Sequence, residues 1–203
     1  FQFRFHSQLS AVLQLLNEGN IGDLRSMRVA FGFPPFSDPK NIRYSPELGG
    51  GALLDAGAYA VKIAPYFLGD DIFLAHASMS DDPNRGVDIW GGGVLQQRNG
   101  PLHCYFAYGF DHHYKCSLEL WGSKGTLRTN RIFTAPPRFR PVLFIETQEG
   151  MEKRILPSDD HFKNMVKYFY SLITSAKPVL LEYEQNLQQA KLINDFKTYA
   201  QRK

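Results

Sequence analysis

Residues 72–129 read IFLAHASMSDDPNRGVDIWGGGVLQQRNGPLHCYFAYGFDHHYKCSLELWGSKGTLRT. Ile72–Ser80, Val87–Gln97, His103–Phe110, Tyr114–Trp121 and Gly125–Thr129 are runs of strand-forming residues. They are separated by Asp-Pro-Asn, Asn-Gly, Asp-His and Gly-Ser-Lys clusters, the pattern of short strands joined by tight connections. Asn99-Gly100 is the strongest hairpin signal among them. Gly91-Gly92-Gly93 inside a run predicts a bulge or a close backbone approach. Alternation sends His103 and Cys104 to opposite faces of the sheet.

Downstream, Val142–Thr147 and Lys153–Leu156 are two further strands around Glu149-Gly150. The end is helical, about Ser158–Ser175 and then Tyr183–Ala200, with an apolar stripe such as Phe162, Met165, Val166 and Phe169. Upstream, Phe1–Phe5 alternates aromatic and polar residues and reads as a strand end or entry segment. A helix follows from Ser7 as N-cap to Gly19, carrying Leu9, Val12, Leu13, Leu15 and Leu16 at helical spacing. Met27, Val29, Phe31 and Phe33 alternate in a strand over Leu24–Phe33. Pro34–Glu47 is a loop, and Ala52–Leu68 a helix kinked at Pro65, which has no N–H to bond Val61. Strands and helices segregated in this way predict an α+β fold. It has a mostly antiparallel, open-faced sheet with helices on one face. A bare sheet face predicts an interface.

Composition narrows the function. A length of 203 residues suits one domain. Sixteen Phe and ten Tyr must be buried in a core, a pocket or a partner interface. The net charge of +3, with Lys and Arg scattered, argues against nucleic acid. No apolar run approaches the roughly 18 residues of a membrane helix. Cys104 and Cys116 read as reduced strand residues, which fits a cytoplasmic setting.

The chemistry concentrates in Glu47-Leu-Gly-Gly-Gly-Ala-Leu-Leu-Asp-Ala-Gly-Ala-Tyr59. Three glycines before a helix start leave backbone N–H groups open, so Gly50 and Gly51 are candidate substrate contacts. Asp55 falls in the first turn, where the helix dipole favours a negative charge. Tyr59, four residues on, shares its helix face. A phenol beside a carboxylate at a glycine-bared helix end suits proton delivery to a carbonyl oxygen. The same spacing also occurs as a dipole complement and a plain surface pair.

The segment Gly49–Tyr59 resembles the substrate-domain signature of the Gfo/Idh/MocA oxidoreductases, the glucose–fructose oxidoreductase and inositol dehydrogenase superfamily. Phe3-Arg4-Phe5-His6 resembles the family's exit from its dinucleotide domain, and Ile21-Gly22-Asp23-Leu24 its first sheet strand. Leu118-Glu-Leu-Trp-Gly-Ser-Lys-Gly-Thr-Leu127 resembles its late hairpin, and the closing helices also match. Tyr59 in place of histidine is similar to glucose–fructose oxidoreductase, dihydrodiol dehydrogenase and the nucleotide-sugar ketoreductases. Phe33-Pro-Pro, Asn41-Ile-Arg-Tyr-Ser-Pro-Glu47 and Arg131-Ile-Phe-Thr-Ala-Pro-Pro137 are similar to the dTDP-sugar 3-ketoreductases.

The resemblance implies a sheet like that of the glyceraldehyde-3-phosphate dehydrogenase C-terminal domain. It also implies hydride transfer between NAD or NADP and a sugar or nucleotide-sugar substrate. Tyr59 would move the proton on the reacting oxygen, and Asp55 would orient substrate or tune the site. The family's Glu-Lys-Pro lysine and its Gly-x-Gly-x-x-Gly do not occur here. Residues 1–203 are therefore expected to be a single C-terminal substrate-binding and dimerisation domain. Its N-terminal Rossmann partner is outside this chain, and the domain is inert alone. A homodimer or homotetramer through the open sheet face is implied. The alternative is a non-catalytic module that binds a sugar or a partner and dimerises through the same face.

Other candidates flank the segment. Arg43 and Tyr44, just before the glycines, are candidate cofactor contacts, Arg43 as a phosphate partner. Phe110 and His113 are candidates to line a sugar pocket. Asp111-His112-His113 is expected on a hairpin turn without companion ligands, which argues against a metal centre. Asp81-Asp82-Pro83-Asn84 lacks the glutamate of a calcium loop.

Overall fold

The computed structural model describes residues 1–175 and 179–200. Its strands are β1 Leu24–Gly32, β2 Ile72–Asp82, β3 Val87–Gln97, β4 His103–Gly109, β5 Lys115–Gly122, β6 Gly125–Asn130, β7 Val142–Thr147 and β8 Gly150–Ile155. They form one sheet in the order β2-β3-β4-β1-β5-β6-β7-β8. The helices are α1 Ser7–Asn17, α2 Ala58–Ile63, α3 Pro65–Leu68, α4 His161–Thr174 and α5 Leu180–Ala200. The α+β expectation holds. Only β1 and β4 run parallel; the other pairs are antiparallel.

That parallel pair corrects one expectation. β1 lies between β4 and β5, so Asp111-His112-His113 is not a hairpin turn. It carries the chain across the end of β1, where His112 N–H donates to the Phe33 carbonyl at 3.2 Å.

Alternation assigns the two sheet faces. Met27, Val29, Phe31, Phe106, Tyr108, Leu118, Leu120, Leu127 and Leu143 are buried on the helix-covered face. Cys104 and Cys116 are also buried there, as free thiols. The opposite positions stand out to solvent, with Trp90, Tyr105 and Trp121 48%, 46% and 54% exposed. The Gly91-Gly92-Gly93 run is a close approach. A Cβ at Gly91 would lie 2.6 Å from both the Ser78 carbonyl and the Tyr108 hydroxyl, and one at Gly93 2.5 Å from the His76 carbonyl.

The N-terminus departs from the sequence reading. Gln2–Phe5 is a 3₁₀ turn rather than a strand end, because Phe3 turns fully inward against Tyr59, Tyr66 and Phe133. The cap of α1 is His6, not Ser7: its Nδ1 accepts the Gln8 N–H at 3.0 Å. The Pro65 kink is present, dividing α2 from α3 at Ala64. α5 begins at Leu180 and buries Gln189, Leu192, Ile193 and Phe196. The stripe on α4 is turned outward. Phe162, Val166 and Phe169 are exposed, as are Leu180, Tyr183 and Leu187 at the start of α5.

Behind α1 the buried rings of His6 and His161 meet edge to face at 5.7 Å. Burial lowers the pKa of both; at His161 the neighbouring His6 lowers it further, while Asp159 opposes the shift at each. A base with a folded pKa below its unfolded value gives stability that is complete above the unfolded value, about 6.5, and lost as pH falls beneath it. The urea midpoint is therefore expected to fall as pH drops below about 6.5. A His6→Asn, His161→Gln variant, in which Asn can still cap α1, should show a flatter profile. Identical profiles would contradict this.

Candidate active site

The loop from Asn41 to Gly51 folds back on itself. The Asn41 side chain accepts the Arg43 N–H at 3.1 Å, starting a 3₁₀ turn over Ile42–Tyr44; a second follows over Pro46–Leu48. Gly50 N–H donates to the Ser45 carbonyl and Gly51 N–H to the Arg43 carbonyl, both at 2.9 Å. The glycine N–H groups expected to meet substrate are thus already engaged in closing the loop. Their side-chain-free backbones serve packing: a Cβ at Gly50 would lie 2.6 Å from the Arg43 carbonyl.

Leu53–Gly57 then forms a π-turn, a widened helical turn that recurs at functional sites. Asp55 lies in it. Its Oδ2 accepts from Arg43 Nε at 2.6 Å, with the two side chains 31% and 35% exposed. The Arg43 guanidinium also sits 4.7 Å over the Phe36 ring. Loop and helix are clamped together by an ion pair at the surface of the site.

Tyr59 is the second residue of α2, which follows the π-turn directly, and is half-buried. Its ring is packed by Phe1 at 5.0 Å, Phe31 and Phe133 at 5.5 Å, and Phe3 at 6.2 Å. Its hydroxyl donates to Gln2 Oε1 at 3.0 Å, and Gln2 Nε2 donates to the Phe133 carbonyl at 3.2 Å. Asp55 and Tyr59 have separate partners, and no hydrogen bond joins them. Phe1 also lines a groove of about 370 Å³ between α4 and α5, with Arg4, Lys62, Tyr168, Phe169 and Glu182. The phenol therefore lies one ring away from a concavity.

Several candidates fall elsewhere. Phe110 is fully buried against Phe33, Phe36 and Tyr44, so it is core rather than pocket lining. Tyr44 is buried too: its hydroxyl accepts the Phe36 N–H at 3.0 Å and its ring lies 3.9 Å under the Arg85 guanidinium. The hydroxyl of Tyr44 is thus committed to the Pro34–Glu47 loop and its ring to Arg85 of the β2–β3 connection. His113 is exposed on the β4–β5 connection. Among the described residues no group of three His, Cys, Asp or Glu side chains gathers at metal-binding distance.

Two residues were not anticipated. Gln2 is the hydrogen-bond partner of the phenol, and nothing in its local pattern marks it. Lys62 is buried one helical turn beyond Tyr59, and its Nζ donates to the Gln185 carbonyl at 3.1 Å. Burial, then the nearby Arg4 charge, lowers its pKa. A lysine amid Ala60, Val61, Ile63 and Ala64 was the available signal.

Residues 9–128 match the family described as GFO/IDH/MocA C-terminal domain. The chain is 36% identical over 200 residues to a dTDP-3,4-didehydro-2,6-dideoxy-alpha-D-glucose 3-reductase of Actinomadura kijaniata, covering 98% of this chain and 60% of the relative. It is 38% identical over 169 residues to the enzyme of that description from Saccharopolyspora spinosa, covering 83% and 50%. Among solved structures it superposes on KijD10, a 3-ketoreductase from Actinomadura kijaniata in complex with NADP and TDP-benzene, with a TM-score of 0.92 at 34% identity, covering 98% and 61%. The chain thus spans between half and about three fifths of the length of these relatives.

Proposed function

Because this chain belongs to the GFO/IDH/MocA C-terminal domain family, we propose that it is the substrate-binding and subunit-contact part of an NADP-dependent oxidoreductase. The enzyme would reduce a keto group on a dTDP-linked sugar. The observation that carries the reading is Tyr59: a half-buried phenol on a widened helical turn, ringed by aromatic side chains and hydrogen-bonded through one exchangeable partner, Gln2. The names of the relatives support the substrate class, and the NADP bound to KijD10 supports the cofactor. In its reduced form, NADPH, that cofactor would supply the hydride and be left as NADP+.

The chain's own residues have separable tasks in this reading. The Tyr59 hydroxyl leaves Gln2 for the ketone oxygen and hands over its proton as the carbon is reduced. Phe1, Phe31 and Phe133 keep water from the reacting carbonyl. Asp55 fixes Arg43 through Nε, leaving the terminal guanidinium nitrogens for a phosphate of substrate or cofactor. Of the two candidate cofactor contacts, Arg43 fits this role and buried Tyr44 does not. The nucleotide-binding part of the parent polypeptide would rest on the outer faces of α4 and α5. The exposed Phe162, Val166, Phe169 and Leu187 support that placement. Free buried thiols at Cys104 and Cys116 support a reducing, cytoplasmic setting. Among the described residues no helix is long and apolar enough to cross a membrane.

The test is the parent polypeptide assayed with NADPH and a dTDP-linked 3-keto sugar. NADPH oxidation dependent on that sugar is the expected result, and none with any keto sugar nucleotide would refute the reading. The uncovered sheet face supports self-association. A Tyr105→Glu, Trp121→Glu variant is expected to sediment as a monomer that keeps the parent's far-ultraviolet circular dichroism, because both side chains are solvent-facing in the single chain. An unchanged sedimentation coefficient would place the contact elsewhere.

A further inference from the structure

We infer that Asp88, on β3, is a positioning residue for the proposed active site, holding the helix that carries Asp55 and Tyr59 by capping it from another strand. The inference rests on the reading of Tyr59 as the proton donor. The helix has no side-chain cap of its own: Ala52 occupies its cap position and makes no such bond. Asp88 supplies the missing acceptor, with Oδ2 taking the Leu53 N–H at 2.7 Å. A carboxylate against the first N–H groups of a helix is favoured by charge-assisted hydrogen bonding and by the helix dipole.

The surroundings are shaped to admit this carboxylate. Gly51 has φ +107, and a Cβ there would lie 2.2 Å from Asp88 Oδ1. Gly57 and Gly91 leave room for the Tyr108 ring: a Cβ at Gly57 would lie 3.0 Å from its Cδ1, and one at Gly91 2.6 Å from its hydroxyl. The buried Tyr108 hydroxyl lies beside Asp88 without a well-aligned hydrogen bond. Burial raises the Asp88 pKa, partly offset by the Leu53 N–H. A carboxylate is a costly group in such a place unless it is bonded. Gly51 N–H bonds the Arg43 carbonyl, and Arg43 returns to Asp55. One carboxylate therefore fixes the start of the helix, the glycine turn and, through Arg43, the clamp on Asp55.

Two variants of the parent polypeptide test this. Asp88→Ala removes the acceptor, while Asp88→Asn keeps an oxygen that can accept the Leu53 N–H. Asp88→Ala is expected to lower kcat about 10- to 100-fold, the scale of a roughly 1 Å misplacement, with KM for the sugar nucleotide little changed. It should also speed hydrogen exchange in the peptide spanning residues 53–59. Asp88→Asn is expected to recover most of both. Exchange needs no turnover, so it judges the anchor whatever reaction the enzyme proves to catalyse. Unchanged exchange in Asp88→Ala overturns the anchor. Faster exchange with unchanged kcat overturns the positioning role.

Discussion

Tyr59→Phe in the parent polypeptide is expected to lower kcat for ketone reduction by about 10²- to 10⁴-fold, the range that one positioned general acid contributes. The substitution is close to isosteric. Phenylalanine keeps the ring contacts with Phe1, Phe31 and Phe133 and gives up only the hydroxyl and its bond to Gln2. That bond is worth about 1 kcal/mol to stability, so the variant should melt within a few degrees of the parent. KM for the sugar nucleotide should stay within a few-fold. A loss confined to kcat and kcat/KM marks an interaction made only in the transition state. A KM effect of the same size would instead make Tyr59 a binding residue.

The largest stability effect is expected at Gly51. Its φ of +107 is a conformation that residues with side chains rarely adopt, and the new methyl of Gly51→Ala would lie 2.2 Å from Asp88 Oδ1. Backbone strain of roughly 1–3 kcal/mol and disturbance of a charged hydrogen bond worth roughly 1.5–3 kcal/mol give a loss of about 2.5–6 kcal/mol. Gly49 is the internal control: its φ of +74 carries strain, but a Cβ there meets nothing within 4 Å. Gly49→Ala should cost about 1 kcal/mol. Urea denaturation of the three proteins decides the matter. Equal losses at Gly49 and Gly51 would mean that Asp88 does not press on the turn.

The sheet could be read from sequence because period-2 alternation and turn residues are local signals. Met27, Val29 and Phe31 alternate inward as expected, and Pro65 breaks the helix where it stands. The insertion of β1 between β4 and β5 could not be read, since strand order depends on pairings some eighty residues apart. The same limit hid the roles of Gln2 and Asp88. Each reaches the Tyr59 helix from a distant part of the chain, at 3.0 and 2.7 Å. The aromatic alternation in Phe1–Phe5 misled because Phe3 could be buried by a tight turn as readily as by a strand. The glycine run signals a special backbone, but not that the Gly50 and Gly51 N–H groups close the loop on Ser45 and Arg43. Phe110 was drawn toward a pocket by its neighbours in sequence, whereas Phe33, Phe36 and Tyr44 enclose it.

The outward stripe on α4 and the bare sheet face belong together physically. Phe169 and Ile173 on one side of the molecule, and Tyr105 and Trp121 on the other, leave two separate apolar surfaces uncovered. In the proposed enzyme one meets the nucleotide-binding part and the other a second subunit.

The most direct measurement is a crystal structure of the parent polypeptide with NADP and a dTDP-sugar analogue. The account predicts the sugar C3 oxygen within about 2.6–3.2 Å of Tyr59 Oη, with Gln2 released and the nicotinamide facing the same carbon. A sugar bound elsewhere, with the Tyr59 hydroxyl still on Gln2 and closed off by its rings, would contradict it.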